Sequence, residues 1–229
     1  MEPYLDPSIP LIICAKGIEV GSGAMMNEIV ECILPKNHYA VLSGPTFAAD
    51  VARGWPAAVT LACDDIEVGK KLTQVLGTSR FRIYQSTDVI GVEIGGAVKN
   101  VIAIACGIVE GRSLGDSARA AIITRGLAEM ARLSRAKGGR PETLMGLSGI
   151  GDLTLTCNAI QSRNFSLGVA LGAGQGLDQV LASRASVAEG VDTAAAIDGL
   201  AELLKVDTPI CSAVNSIVNH GADTESTIS

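Results

Sequence analysis

One run of apolar residues and glycines, from Val89 to Val109, constrains this chain more than any other feature. It holds a single lysine, Lys99, near its middle. A helix that is apolar on nearly every face is buried in a protein core, so we expect this run to be the central helix of a helical part. Its strictly apolar stretches are too short to span a bilayer.

Lys99 has two interpretations on spacing alone, and they carry equal weight. The side chain points to solvent from a kink, or it lines a cavity. In a cavity, burial disfavours the ammonium and can lower a lysine pKa by roughly 3–5 units in extreme cases. Such a lysine donates and accepts protons near neutral pH. The preceding Gly95 and Gly96 leave room for a ligand or another backbone.

Composition limits the classes of protein this chain can belong to. Its 229 residues are 48% apolar and 18% charged, which predicts a globular chain of one large or two modest domains. The net charge of −6 argues against a nucleic-acid partner. The six cysteines are spread without a C-x-x-C pair, as in reduced cytoplasmic proteins, and the two isolated histidines predict no metal site. The N-terminus lacks the basic region of a signal peptide.

The first third of the chain alternates between strand and helix patterns. The strand patterns are "LIICAKG", "YAVLSG", "AAVTLACD" and "FRIYQS"; the helix patterns are "GAMMNEIVECIL", "PTFAADVARG" (opened by Pro45) and "DIEVGKKLTQVLG". This order predicts a parallel or mixed sheet with crossover helices. Only helical patterns follow, so we expect a sheet-containing domain at 1–85 and a helical domain at 86–229.

Polar residues at element ends are the other candidates for chemistry. Lys16 follows a strand at the sheet edge where α/β proteins bind ligands. Thr46 lies in a strand-to-helix turn whose free amides could face an anion. Asp152 follows a glycine turn, and Ser162 is a good N-cap for a helix that begins with Arg163 and Asn164. Taken singly, Lys16, Thr46 and Asp152 are each more easily explained by ordinary loops, turns and caps than by a site.

Taken in order, these segments resemble one family. The set "AKGIE", "SGPTFA", "IGGAVKNVIAIACGIVEG", "ARAAIITRGLAEM", "GLSGIGDLTLTC", "QSRN" and "VAEG" is similar to the bacterial-type NAD(P)-dependent glycerol-3-phosphate dehydrogenases. The resemblance implies α/β followed by all-α: the C-terminal half of a Rossmann-like sheet domain, then a 6-phosphogluconate-dehydrogenase-like helical domain. It also implies reduction of dihydroxyacetone phosphate to glycerol 3-phosphate with NAD(P)H, for phospholipid synthesis in the cytoplasm.

The resemblance assigns roles residue by residue. Lys99 corresponds to the catalytic proton donor and acceptor. The implied substrate contacts are Lys16, Gly44, Thr46, Lys99, Asp152, Ser162, Arg163 and Asn164. The implied cofactor contacts are Lys16, Ala48, Arg163, Val187 and Glu189.

The chain also departs from the family pattern. The G-x-G-x-x-G turn and the adenosine-side strand of a Rossmann domain are not found, so we expect a fragment whose activity alone is doubtful. NAD and NADP cannot be distinguished for the same reason. Two alternatives stay open: a non-catalytic remnant with a phosphate-binding helical domain that could form a homodimer, and a dehydrogenase of the 6-phosphogluconate or hydroxyacid type. The "QSRN" and "SGPTFA" segments argue against the latter.

Overall fold

A four-stranded sheet forms the first part of the protein. The computed structural model describes residues 5–182 and 188–228. The strands are β1 (Leu11–Ile13), β2 (Tyr39–Ser43), β3 (Ala57–Ala62) and β4 (Phe81–Ser86), and they lie side by side in chain order. β1 pairs with β2 in parallel, β2 with β3 antiparallel, and β3 with β4 in parallel. The sheet is therefore mixed, as the alternating pattern allowed.

Three helices connect the strands: α1 (Met26–Ile33), α2 (Ala48–Ala52) and α3 (Ile66–Leu76). The prediction that Pro45 opens the second helix is wrong, because α2 begins three residues later with Phe47 as its N-cap. The amide of Thr46 donates to the carbonyl of Gly44 at 2.8 Å, which closes a tight turn ahead of the helix. That amide is consequently not free to face an anion.

Eight helices make up the rest of the described chain, and α4 (Val89–Gly111) runs through their centre. The others are α5 (Asp116–Lys137), α6 (Asp152–Asn158), α7 (Arg163–Gly172), α8 (Leu177–Ala182), α9 (Gly190–Leu204), α10 (Pro209–His220) and α11 (Thr224–Ile228). A 3₁₀ turn (Pro141–Met145) and a π turn (Leu147–Gly151) separate α5 from α6. The predicted central helix is confirmed: it begins with the apolar run at Val89 and ends two residues after Val109.

Helix α4 is buried along almost its whole length. It is long and apolar enough to cross a membrane, but its most apolar stretch of 18 residues is 94% buried within the protein, as in the core helix of a soluble protein. Side chains from α5, α6, α7, α9 and α10 surround it in one large apolar cluster. The sheet contributes only two small clusters.

Glycines allow α4 and α7 to pack with their backbones in contact. A Cβ at Gly107 of α4 would overlap the carbonyl oxygen of Phe165, and a Cβ at Gly168 of α7 would overlap that of Ile104. Close approach of this kind requires residues without side chains. The contact holds the first turn of α7, with Arg163 and Asn164, beside the middle of α4.

Candidate active site

Lys99 lies on the buried face of α4, and its side chain is only 7% exposed. Its Nζ donates to Oδ1 of Asp152 at 2.6 Å and to Oγ1 of Thr156 at 3.1 Å. Both partners belong to α6. Of the two interpretations offered by the sequence, the structure supports a buried lysine at a cavity wall.

Asp152 is held where it can accept from two lysines. It is the first residue of α6 and 1% exposed. Gly95 of α4 allows the preceding π turn to lie directly against the helix, since a Cβ there would overlap the carbonyl oxygen of Ser148. Oδ2 of Asp152 accepts from Nζ of Lys16 at 2.9 Å, while Oδ1 accepts from Lys99. One carboxylate thus brings together cations from the sheet part and the helical part.

Burial and neighbouring charges set the protonation of Lys99. Its pKa is lowered from 10.5 to about 8: desolvation is the largest cause, the charge of Lys16 acts in the same direction, and the charge of Asp152 opposes both. A lysine with this pKa exchanges a proton readily near neutral pH. Lys99 is therefore poised for general acid–base catalysis.

A cavity of about 470 Å³ opens beside this cluster. Its walls include eight of the residues that the sequence singled out: Lys16, Thr46, Ala48, Lys99, Ser162, Arg163, Asn164 and Glu189. They come from the loops after β1 and β2, from the first residue of α2, from α4, from the start of α7 and from the residue before α9. A volume of this size is typical of small-molecule sites.

The start of α7 forms a polar wall of the cavity. Ser162 caps the helix, as predicted, by accepting from the amide of Phe165 at 3.2 Å. Nη2 of Arg163 donates to Oε1 of Glu189 at 3.1 Å, and Nδ2 of Asn100 donates to Oε2 of the same carboxylate at 3.3 Å. Oδ1 of Asn164 accepts from the amide of Gly190. A guanidinium on the first helical turn is well placed to bind an anionic group.

Comparison with known proteins agrees with this geometry. The family model described as "NAD-dependent glycerol-3-phosphate dehydrogenase C-terminus" matches residues 88–229, and the corresponding N-terminus model matches residues 1–69. The chain belongs to the NAD-dependent glycerol-3-phosphate dehydrogenase family. The expected α/β-then-helical fold class is confirmed by this match.

Curated relatives in this family bear the name "Glycerol-3-phosphate dehydrogenase [NAD(P)+]". The one from Rhodospirillum rubrum is 60% identical over 99% of this chain, and the chain covers 65% of that relative. The one from Maricaulis maris is 54% identical over 99% of this chain, with 68% of the relative covered. The chain therefore spans about two thirds of the length of these glycerol-3-phosphate dehydrogenases.

A solved member of the family has the same fold. The glycerol-3-phosphate dehydrogenase from Coxiella burnetii superposes with a TM-score of 0.96 at 39% identity, over 100% of this chain and 70% of its own. The mixed sheet and the helices around α4 are thus the family's architecture.

The remaining residues that the family resemblance implied lie elsewhere. Asp152 is behind the cavity wall, where it reaches the cavity through the two lysines. Gly44 is not among the lining residues; it packs on β3, where an added Cβ would lie 2.8 Å from Cα of Val59. Val187 lies outside the described residues.

The cavity also contains residues that the sequence reasoning missed. These additional lining residues are Cys14, Phe47, Asn100, Thr156 and Gln161. Thr156 is one helical turn after Asp152, so helical spacing could have found it. Asn100 follows Lys99 directly, and adjacent helical residues face different sides, so spacing gave no signal for it. Cys14 and Phe47 carried no signal beyond their place after a strand.

Proposed function

We propose that this chain provides the substrate-binding and proton-transfer part of an NAD(P)H-dependent glycerol-3-phosphate dehydrogenase, which reduces dihydroxyacetone phosphate to sn-glycerol 3-phosphate. The observation that carries the proposal is the buried Lys99–Asp152–Lys16 cluster beside a cavity that Arg163 also lines. A proton donor and an anion-binding cation in one cavity suit a small phosphorylated carbonyl compound.

Lys99 acts as the general acid of the reduction. The nicotinamide cofactor, when bound, supplies the hydride that forms the new bond to C2 of the substrate. The C2 carbonyl bond becomes a single bond, and its oxygen takes a proton from Nζ of Lys99. In the reverse direction the neutral amine of Lys99 takes that proton back. Each turnover therefore moves one hydride and one proton.

Asp152 and Lys16 keep Lys99 ready for this step. Asp152 orients the ammonium through the 2.6 Å bond to Nζ and partly offsets the cost of burying its charge. Lys16 is 21% exposed at its side chain and shares the same carboxylate, so its ammonium can also polarise the substrate oxygen. The apolar helix around Lys99 excludes water that would compete for the proton.

Arg163, on the first turn of α7, binds the phosphate of the substrate. Glu189 holds the guanidinium at the cavity wall at 3.1 Å. Ser162 and Asn164 are the further substrate contacts that the family pattern implies, and Thr46 joins them from the turn after β2. Gly44, which the pattern also implies, packs on β3 and contributes by shaping that turn.

The cofactor set fits in part. Lys16 and Ala48 follow β1 and β2 and line the cavity with Arg163 and Glu189, so these residues would hold the nicotinamide end of the cofactor. Among the described residues, no helix N-terminus follows a G-x-G-x-x-G turn that could hold a pyrophosphate. The residues present thus fit the nicotinamide half of NAD(P)H.

Three further points belong to the same proposal. The division into a sheet domain, 1–85, and a helical domain, 86–229, lies at the last residue of β4, just before α4. The reaction takes place in the cytoplasm and supplies glycerol 3-phosphate for phospholipids. A homodimer formed through the helical domain is the expected assembly.

Calorimetric titration of the purified chain tests the proposal directly. We expect sn-glycerol 3-phosphate to bind at one site, and glycerol, which lacks the phosphate, to bind far more weakly. Absorbance of the cofactor is then followed with dihydroxyacetone phosphate in the chain completed with the parts of the Rhodospirillum rubrum relative that it does not match. Equal binding of the two ligands, or a completed chain without turnover, would refute the proposal.

A further inference from the structure

A second, much smaller cavity lies beneath Lys16, between the ends of β1 and β2 and the first half of α4. Its volume is about 10 Å³, close to the space of one water molecule. Lys16, Ser43, Glu93 and Gly96 are among its walls. A Cβ at Gly96 would lie 3.1 Å from Oγ of Ser43 and 3.4 Å from Cγ of Lys16, so the stem of Lys16 passes directly over α4 here.

Glu93 is the buried carboxylate of this cavity, and the mechanism above does not use it. It is 5% exposed and precedes Lys99 by six residues on α4. Its Oε1 accepts from the amide of Asn27, the second residue of α1, at 3.0 Å. Its Oε2 is buried without a hydrogen-bond partner among the described residues, as is Oγ of Ser43 on the same cavity. Buried polar atoms are nearly always paired, so two unpaired oxygens on one small cavity are unusual.

We propose that Glu93 is a positioning residue for Lys16. By binding the first turn of α1, its carboxylate holds the preceding segment 14–25, which carries Lys16, against α4. The inference rests on the proposed function only where it concerns substrate affinity. The structural part stands on the bond to Asn27 and on the shared cavity.

The segment 14–25 connects Lys16 to α1, so fixing the start of α1 also limits the positions of the backbone at Lys16. It folds on itself, because Ile18 pairs with Met25 and the amide of Glu19 donates to the carbonyl of Ala24 at 2.9 Å. It then continues without a break into α1, whose first turn Glu93 binds. Ile18 and Met25 also pack in the main apolar cluster. Asp152 holds Lys16 at its ammonium, and Glu93 holds the backbone that carries it.

The strength of this anchor depends on the charge of Glu93. Burial raises its pKa to about 7, the charges of Glu28 and Glu31 on α1 act in the same direction, and the Asn27 amide and Lys137 of α5 oppose them. The carboxylate is therefore ionised above about pH 7, when its bond to the amide becomes charge-assisted and stronger. Below that pH it is a neutral acid, which glutamine resembles in shape and charge.

Amide hydrogen exchange of the ligand-free chain tests the anchor. Wild type and Glu93→Gln are compared at about pH 5.5 and about pH 8.5, on either side of the Glu93 pKa, with each rate corrected for intrinsic exchange. We expect equal protection of segment 14–27 at the lower pH. At the higher pH the variant should exchange about fivefold faster, the difference between a charge-assisted and a neutral hydrogen bond.

A second buried carboxylate in the chain is the matched control. Glu129 of α5 accepts from the amides of Ile210 and Cys211 at the start of α10, and it does not line the cavity under Lys16. Glu129→Gln should alter exchange at the start of α10 and leave segment 14–27 unchanged. Equal exchange of that segment in wild type and Glu93→Gln at both pH values would overturn the proposal, as would the same loss in the Glu129 variant.

The affinity for sn-glycerol 3-phosphate provides the functional measurement. The ratio of Kd in Glu93→Gln to Kd in wild type should be near one at the lower pH and about fivefold at the higher pH. A ratio that is the same at both pH values would reduce Glu93 to a structural role. A wild-type chain that binds no glycerol 3-phosphate would count against the proposed function, while the exchange measurement would still decide the anchor.

Discussion

The sheet part and the helical part of this protein are stabilised very differently. The helices surround α4 in one large cluster of buried side chains, whereas the sheet has two small clusters. Most of the exposed large apolar residues belong to the sheet part: Ile9, Val20, Ile33, Trp55, Ile66, Val75 and Tyr84. The helical part has a core of its own, and the sheet part has comparatively little.

The candidate active site spans both parts, and its two lysines are held in place in different ways because the two parts differ in packing. Lys99 extends from the best-packed helix, so its position and its desolvation are set by the core. Lys16 lies on a segment after a three-residue strand and depends on polar contacts to Asp152 and, by our inference, to Glu93. In the proposed mechanism the proton donor is thus placed on the better-packed side.

The largest expected effect comes from breaking the packing of the helical part. Gly107→Ala would force a Cβ into the carbonyl oxygen of Phe165 and should reduce the free energy of unfolding by about 3 kcal/mol or more. Gly199→Ala on α9 is the control, because nothing lies within 4 Å of its added Cβ. Urea unfolding followed by circular dichroism measures both. Equal stability of the two variants would show that α4 and α7 are not in backbone contact.

The next effect concerns the task of Lys99. Lys99→Met in the completed chain should lower kcat by about a hundredfold or more, the scale of general acid–base catalysis. Lys70→Met, which removes a surface lysine paired with Glu67 on α3, should leave kcat unchanged. Steady-state measurement of cofactor absorbance gives kcat for both variants. A kcat for the Lys99 variant within about threefold of wild type would exclude it as the proton donor.

A smaller effect tests the anion-binding role of the α7 terminus. Arg163→Ala should weaken binding of sn-glycerol 3-phosphate by about tenfold, because a charge-assisted pair contributes roughly 1.5–3 kcal/mol. Binding of glycerol should change much less. Arg82→Ala, on the exposed face of β4, is the control. Similar losses for both ligands on calorimetry would place Arg163 away from the phosphate.

The smallest effect is the pH dependence of the proton donor. The pKa of Lys99 is lowered to about 8, so reduction should slow as pH rises through 8 and the ammonium is lost. Oxidation of glycerol 3-phosphate needs the neutral amine and should speed up over the same range. NMR titration of the lysine ε-methylenes, with Lys99→Met to assign the signal, gives the same pKa without turnover. A midpoint near the usual lysine value, about 10.4, would contradict the burial argument.

Several local features of the fold were predictable because they depend on neighbours in the chain. The continuous apolar run predicted α4, and Ser162 was recognisable as an N-cap from its residue type and position. The helix after β2 was predicted too early, because Pro45 fits either a tight turn or a first helical position. The turn that uses the Thr46 amide depends on how Gly44 packs on β3, which no local pattern reveals.

The sequence alone therefore determined the order of elements, the burial of the Val89–Val109 run and the family to which its motifs belong. Only the tertiary structure decided that Lys16 and Lys99 share the carboxylate of Asp152, and that Glu93 binds the first turn of α1. The reason is physical: a residue's helical or apolar character is a local property, whereas the pKa of Lys99 is lowered to about 8 mainly by burial within the folded core. The carboxylate that Lys99 and Lys16 share is 53 residues from one lysine and 136 from the other, and only folding brings the three groups within hydrogen-bond distance.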